Sequence, residues 1–210
     1  MPKPYVFESR ETLIERLRSP GLAEISRQFF AVRCPSMMEV VRTGVSGNTF
    51  RAFRHVPTPS KKFRTWTTCR LEHTLRDILA CERPDSYALQ VHMATQALES
   101  SWRHHANKEM GYGRGAKLLN LVLKKLACLE SLTDEQRTRL ISLMHVPWDS
   151  YTIQGLRLVS PALSIPSNAT MKFITTPEQY QVFMAEITDI TAEANVPAIY
   201  YDVLAWDMAH

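Results

Sequence analysis

The chain has 210 residues, 45% of them hydrophobic, which suits one globular domain spanning 1–210. Its apolar runs are broken by Lys, Arg or Glu, so no membrane partner is expected, and Met1-Pro2-Lys3-Pro4-Tyr5 lacks the apolar core of a signal peptide, so a cytoplasmic location is expected. The net charge of +4 hides an asymmetry: residues 51–76 carry seven Lys or Arg against one acid, Glu72, whereas 173–210 carry six acids and neither Lys nor Arg. Such a split suits a polyanion or an acidic partner, and equally a dipolar surface of solvated charges.

Most of the chain reads as helix. Apolar residues recur at helical spacing over 11–18 and 22–30, separated by Ser19-Pro20-Gly21, and a short helix over 36–42 follows Pro35. The stretch 49–56 has another character. Phe50, Phe53 and Val56 are interleaved with Arg51, Arg54 and His55, which predicts a strand or an extended basic arm reaching to about residue 66. Helices are predicted over 65–81, with Leu71, Leu75, Ile78 and Leu79 on one face, then over 87–105, with Asp85 or Ser86 as N-cap, and over 114–130. Thr133-x-x-Gln136 is a capping-box start for a helix ending near Met144. Asp149 or Ser150 opens a helix to about Val159, 160–168 reads as loop, and helices over 177–195 and 197–209 close the chain. The expected class is therefore all-α or nearly so, and the absence of strand–helix alternation disfavours a doubly wound nucleotide fold.

Cys34, Cys69, Cys81 and Cys128 form no Cys-x-x-Cys pair, and His104, His105 and His145 suggest no metal site. Reduced, mostly buried thiols and no cofactor are expected.

Three features carry chemistry. Gly111-Tyr112-Gly113-Arg114-Gly115 lies between two helices, where glycine conformations and a helix N-terminus suit a phosphate and Arg114 adds charge. Gly-rich turns between helices are also common for purely structural reasons. Lys117 follows. On a helical wheel Leu118, Leu119, Val122, Leu126 and Leu129 cluster within about 100°, and Lys117 falls opposite, near Asn120 and Lys124. That face is either solvated or lines a cleft, where a neighbouring cation such as Lys124 would favour a neutral, nucleophilic amine. Asp149 follows Val146-Pro147-Trp148 at a helix start. It can cap that helix, and a carboxylate so held can also stabilise an oxocarbenium-like sugar.

Helix, glycine hairpin, helix, lysine and a Val-Pro-x-Asp helix start together resemble the helix-hairpin-helix DNA glycosylases over about residues 86–160. The long Lys-to-Asp gap is most similar to the archaeal-type 8-oxoguanine glycosylases. The resemblance implies a helix-hairpin-helix glycosylase-like helical domain with its catalytic core at 86–160. It implies that Lys117 attacks the sugar C1′, that Asp149 assists it, and that Gly111, Gly113 and Gly115 grip a backbone phosphate. The implied partner is double-stranded DNA with a flipped base, bound by a monomer. The base would be damaged, as 8-oxoguanine is, or a hypermodified cytosine of phage DNA, and an AP lyase step can accompany its removal. Residues suited to DNA are Arg51, Arg54, Lys61, Lys62 and Arg64, and candidate base-stacking groups are Trp66, Trp102, Tyr112, Trp148 and Trp206. Each aromatic has core packing as its other reading. The alternative function is a non-catalytic helical nucleic-acid-binding protein.

Overall fold

A computed structural model describes residues 5–53 and 55–206. The helices are α1 (Arg10–Leu17), α2 (Pro20–Ala31), α3 (Met37–Gly44), α4 (Pro59–Leu79), α5 (Pro84–Ala106), α6 (Tyr112–Leu126), α7 (Asp134–Leu143), α8 (Ser150–Val159), α9 (Pro177–Glu193) and α10 (Ile199–Trp206). Short 3-10 turns occupy Gly47–Phe53, Pro161–Leu163 and Met171–Phe173. Among the described residues there is no strand beyond one isolated bridge, Cys34 to Leu129, so the class is all-α. No described helix is long and apolar enough to cross a membrane.

Local chemistry sets most helix starts. Ser9, Ser19, Ser36, Thr133, Asp149 and Thr176 each turn a side-chain oxygen onto a backbone N–H of the first turn. Thr133 and Gln136 form the expected capping box. At α5 the start differs from expectation: Pro84 takes the first helical position, Asp85 lies inside the first turn, and the Ser86 hydroxyl donates to the Arg83 carbonyl.

Two other departures have clear causes. The stretch 49–56 is not a strand; its first residues belong to a 3-10 turn. With three residues per turn, Phe50 and Phe53 fall on one side and bury against Phe63 and Trp102 respectively. Helix α6 stops at Leu126 rather than near residue 130. The buried Arg137 guanidinium of α7 donates to the carbonyls of Ala127, Leu129 and Leu132, taking over acceptors a further helical turn would have used.

Two apolar cores flank α6. One is built mainly from α2 to α7 and includes Leu118, Leu119, Val122 and Leu126 of α6. The other joins Phe7 and α1 to α8, α9 and α10 and takes Tyr112 and Ala116 from the same helix. The N-terminal segment thus returns to pack with the C-terminal helices, and α6 runs between the two cores.

Candidate functional site

The polar face of α6 is buried. Lys117, Asn120 and Lys124, spaced three and four apart, point along one side of the helix toward the second core. Each meets a different later element. Lys117 Nζ lies 3.4 Å from Asp149 Oδ2, Asn120 Nδ2 donates to Tyr180 Oη at 3.0 Å, and Lys124 Nζ donates to Asp202 Oδ2 at 2.8 Å. Lys124 was expected to act on Lys117 as a neighbouring cation; Asp202 offsets its charge, so that role is removed. Asp202 instead docks α10 on α6.

Asp149 divides its two oxygens between two tasks. Oδ1 accepts the N–H groups of Tyr151 (2.8 Å) and Thr152 (3.0 Å), while Thr152 Oγ1 accepts the Asp149 N–H at 2.8 Å. Oδ2 faces Lys117. The Lys117 side chain is 15% exposed and that of Asp149 6%, so the pair is largely dry and the lysine is the more open of the two.

The hairpin uses its glycines inward. Gly111 has φ +82°, a conformation that disfavours side chains, and starts α6. At Gly113 a Cβ would lie 2.0 Å from the Met171 carbonyl, and the Gly113 N–H donates to the Ile174 carbonyl at 3.0 Å. The N–H groups of Arg114 and Gly115 both turn back to the Gly111 carbonyl at 3.1 Å. A phosphate grip through the Gly113 and Gly115 N–H groups is therefore not what this backbone offers. Charge at the hairpin comes from side chains. The Arg114 guanidinium sits 5.6 Å over the Phe53 ring, and burial lowers its pKa. Among the described residues no carboxylate lies within ion-pair reach of it. It shares a cleft of about 240 Å3 with Gly111, Tyr112 and Lys172, the last lying 58 residues further along the chain on the third 3-10 turn, where no local pattern ties it to the hairpin.

The other basic candidates are spread out. Arg51 is exposed on the first 3-10 turn, Lys61 is exposed on α4, and Arg54 lies outside the described residues. Lys62 donates to the His105 carbonyl and Arg64 to that of Val45, both at 2.8 Å, so these two also hold the fold.

The five candidate aromatics do not form one pocket. Trp66 and Trp102 line a cleft of about 480 Å3 between α4 and α5, together with Lys61, Phe63 and His105. Tyr112 is buried at the hairpin, edge-on to Tyr180. Trp148 is buried against Phe183 and Tyr201. Trp206, partly exposed, lies 5.8 Å from Tyr151 on the first turn of the helix that Asp149 caps. Tyr5 completes this group, stacked on Tyr151 at 4.4 Å, with its hydroxyl donating to the Tyr151 carbonyl. Burial, then the charges of Tyr151 and Asp149, push the Tyr5 phenol up. Neither Tyr5 nor Tyr151 was singled out from sequence.

Among the described residues no group of three or more His, Cys, Asp or Glu side chains is placed to hold a metal ion. The four cysteines are free, three of them buried and Cys69 exposed. Set beside known proteins, the chain matches no family model, and no curated protein or solved structure matches it.

Proposed function

We propose that the protein is a DNA glycosylase in which Lys117 is the nucleophile and Asp149 its partner. The observation that carries this reading is the meeting of these two side chains at 3.4 Å from separate elements, between two cores and on the hairpin-led helix. Proton transfer from Lys117 Nζ to Asp149 Oδ2 frees the amine lone pair. The amine attacks C1′ of the deoxyribose; the C1′–N bond to the base breaks and its electron pair leaves with the base. The base takes up the proton the amine gave, which returns Asp149 to a carboxylate facing the cationic sugar. The adduct's nitrogen gives a proton to O4′ as the C1′–O4′ bond breaks, leaving an open-chain sugar joined to Lys117 as a Schiff base. Water hydrolyses it to an abasic site, or elimination of the 3′ phosphate cuts the strand. Arg114 and Lys172 supply backbone neutralisation, and Trp206 with Tyr151 and Tyr5 supplies an aromatic wall for an extruded base.

Borohydride trapping on duplexes carrying 8-oxoguanine, hypermodified cytosines or an abasic site tests the proposal. A covalent complex with wild type and none with Lys117→Gln is the expected result. If neither trapping nor alkaline cleavage reveals base loss from any of these duplexes, the enzyme reading is wrong. A trapped complex that persists in Lys117→Gln removes Lys117 from its role and assigns the attack to another amine, whereas base loss with no trapped complex leaves Asp149 with water.

A second reading, a non-catalytic nucleic-acid-binding protein, is favoured by one observation. Lys124–Asp202 on the same helix is a lysine–carboxylate pair that docks α10, so such a pair on α6 is not by itself chemistry. Salt-dependent DNA binding without base release would select this reading.

A further inference from the structure

Lys117 and Asp149 belong to different elements, so something must set their separation. Asp149 is carried by residues 144–149, a helix-free segment between α7 and α8. Its side chains are buried: Val146 and Trp148 join the second core, and His145 is 6% exposed. His145 is the polar anchor of that segment. Its Nδ1 lies 3.1 Å from Tyr180 Oη, and the same hydroxyl lies 3.0 Å from Asn120 Nδ2, one turn beyond Lys117 on α6.

The proton assignments follow from donor counting. Asn120 Nδ2 gives one hydrogen to the Ala116 carbonyl at 2.8 Å and one to Tyr180 Oη. Tyr180 Oη, already accepting, donates its own proton to His145 Nδ1, which places the imidazole proton on Nε2. Burial keeps the imidazole neutral and therefore an acceptor, and it keeps the phenol protonated. The chain Asn120–Tyr180–His145 thus links the helix that carries Lys117 to the segment that carries Asp149, through a residue of α9.

We propose that Tyr180 is a positioning residue that sets the Lys117–Asp149 geometry through hydrogen bonds to Asn120 and His145. The role in catalysis rests on the reading of Lys117 and Asp149 as the reacting pair; the geometry does not. Removing the hydroxyl leaves His145 Nδ1 with no donor in a dry site and frees residues 144–149 to shift relative to α6. The Lys117–Asp149 contact then lengthens while Lys124–Asp202, which does not pass through Tyr180, is untouched.

Lysine-resolved acetylation with acetic anhydride, read by mass spectrometry, tests this directly. Exposed Lys172 serves as the reference and Lys124 as the internal control. In Tyr180→Phe, Lys117 labelling rises about threefold or more over wild type while Lys124 labelling is unchanged. His145→Leu behaves alike, and His145→Asn, which restores an acceptor near Nδ1, returns Lys117 to the wild-type rate. Lys117 and Lys124 rising together would mean general loosening and would overturn the proposal, as would no change at Lys117. In single-turnover trapping, Tyr180→Phe lowers the rate at saturating DNA about tenfold with DNA affinity retained. A wild type inert on every duplex defeats the glycosylase reading alone, because the labelling result still decides the positioning role.

Discussion

The two ends of α6 carry the same pair of functional groups and use them differently. At the far end, Lys124 and Asp202 meet at 2.8 Å with side chains 8% and 3% exposed, and the ammonium lies 4.3 Å over the Phe29 ring. That pair is closed on all sides and joins α10 to α6. At the hairpin end, Lys117 and Asp149 are 3.4 Å apart, the lysine is more open, and one carboxylate oxygen is already committed to a helix start. The difference teaches that burial and a carboxylate partner are common to both lysines and that slack and exposure set them apart: a pair at its shortest distance has its Coulomb energy in hand, whereas a looser one gives up less when its partner is exchanged, as the proposed reaction requires of Lys117.

The comparison can be broken from either end. The largest effect is expected from Lys117→Gln, which removes the proposed nucleophile and lowers single-turnover base release by about 10³-fold or more, with retained folding judged by circular dichroism. Lys124→Met is the mirror experiment. It removes the ammonium facing a buried carboxylate and costs about 3–5 kcal/mol of unfolding free energy in a denaturant titration. At temperatures where the variant stays folded, its trapping rate per folded molecule matches wild type.

Between the two ends, His145 makes stability depend on pH. Burial lowers its pKa to about 4 in the folded chain, against the ordinary 6.5. The unfolded chain takes up a proton below 6.5 that the folded one refuses. The contribution is fully present above 6.5 and is lost as pH falls toward 4, by about 3 kcal/mol in all. Urea titrations of wild type show this slope, and His145→Asn flattens it. A slope that survives the substitution assigns it to other groups.

Asp149→Asn sharpens the hairpin end. Asparagine caps helices as well as aspartate does, so only the looser contact to the more exposed Lys117 is lost, and unfolding free energy falls by about 1–3 kcal/mol, less than in Lys124→Met. Base release falls about 10²-fold, because the amide can neither accept the amine's proton nor face a cationic sugar. Full activity in this variant would remove Asp149 from the chemistry. The smallest effect is at the periphery. Arg114→Ala reduces the salt slope of DNA binding by about one counterion, measured by fluorescence anisotropy, whereas Lys125→Ala at the far end leaves the slope unchanged.

What could be read from the sequence was what is local. The Thr133–Gln136 capping box, Asp149 as a cap and Lys117 off the apolar face of α6 depend on neighbours within a turn or two, and the structure has all three. What escaped was set at long range. Lys124 finds Asp202 78 positions away, and Asn120 finds Tyr180 60 positions away, so nothing around either residue announced that the polar face is buried. Gly113 read as part of a hairpin that grips a phosphate. Its reason is the backbone of residues 171–174 lying against it, a contact invisible before the chain is folded. The aromatic–basic stretch at 49–56 read as a strand or an extended basic arm; Phe50 and Phe53 lie three apart, which fits a 3-10 turn and not a period of two, and the described residues hold no partner strand.

The double bond count at Asp149 Oδ1 has a consequence for entropy. A surface carboxylate turns freely about its side-chain bonds, and a catalyst that needs it in one orientation must freeze those rotors when substrate arrives. Here two backbone N–H groups freeze them when α8 forms. The loss of rotational freedom is charged to folding, and Oδ2 is aimed at Lys117 before any ligand is bound.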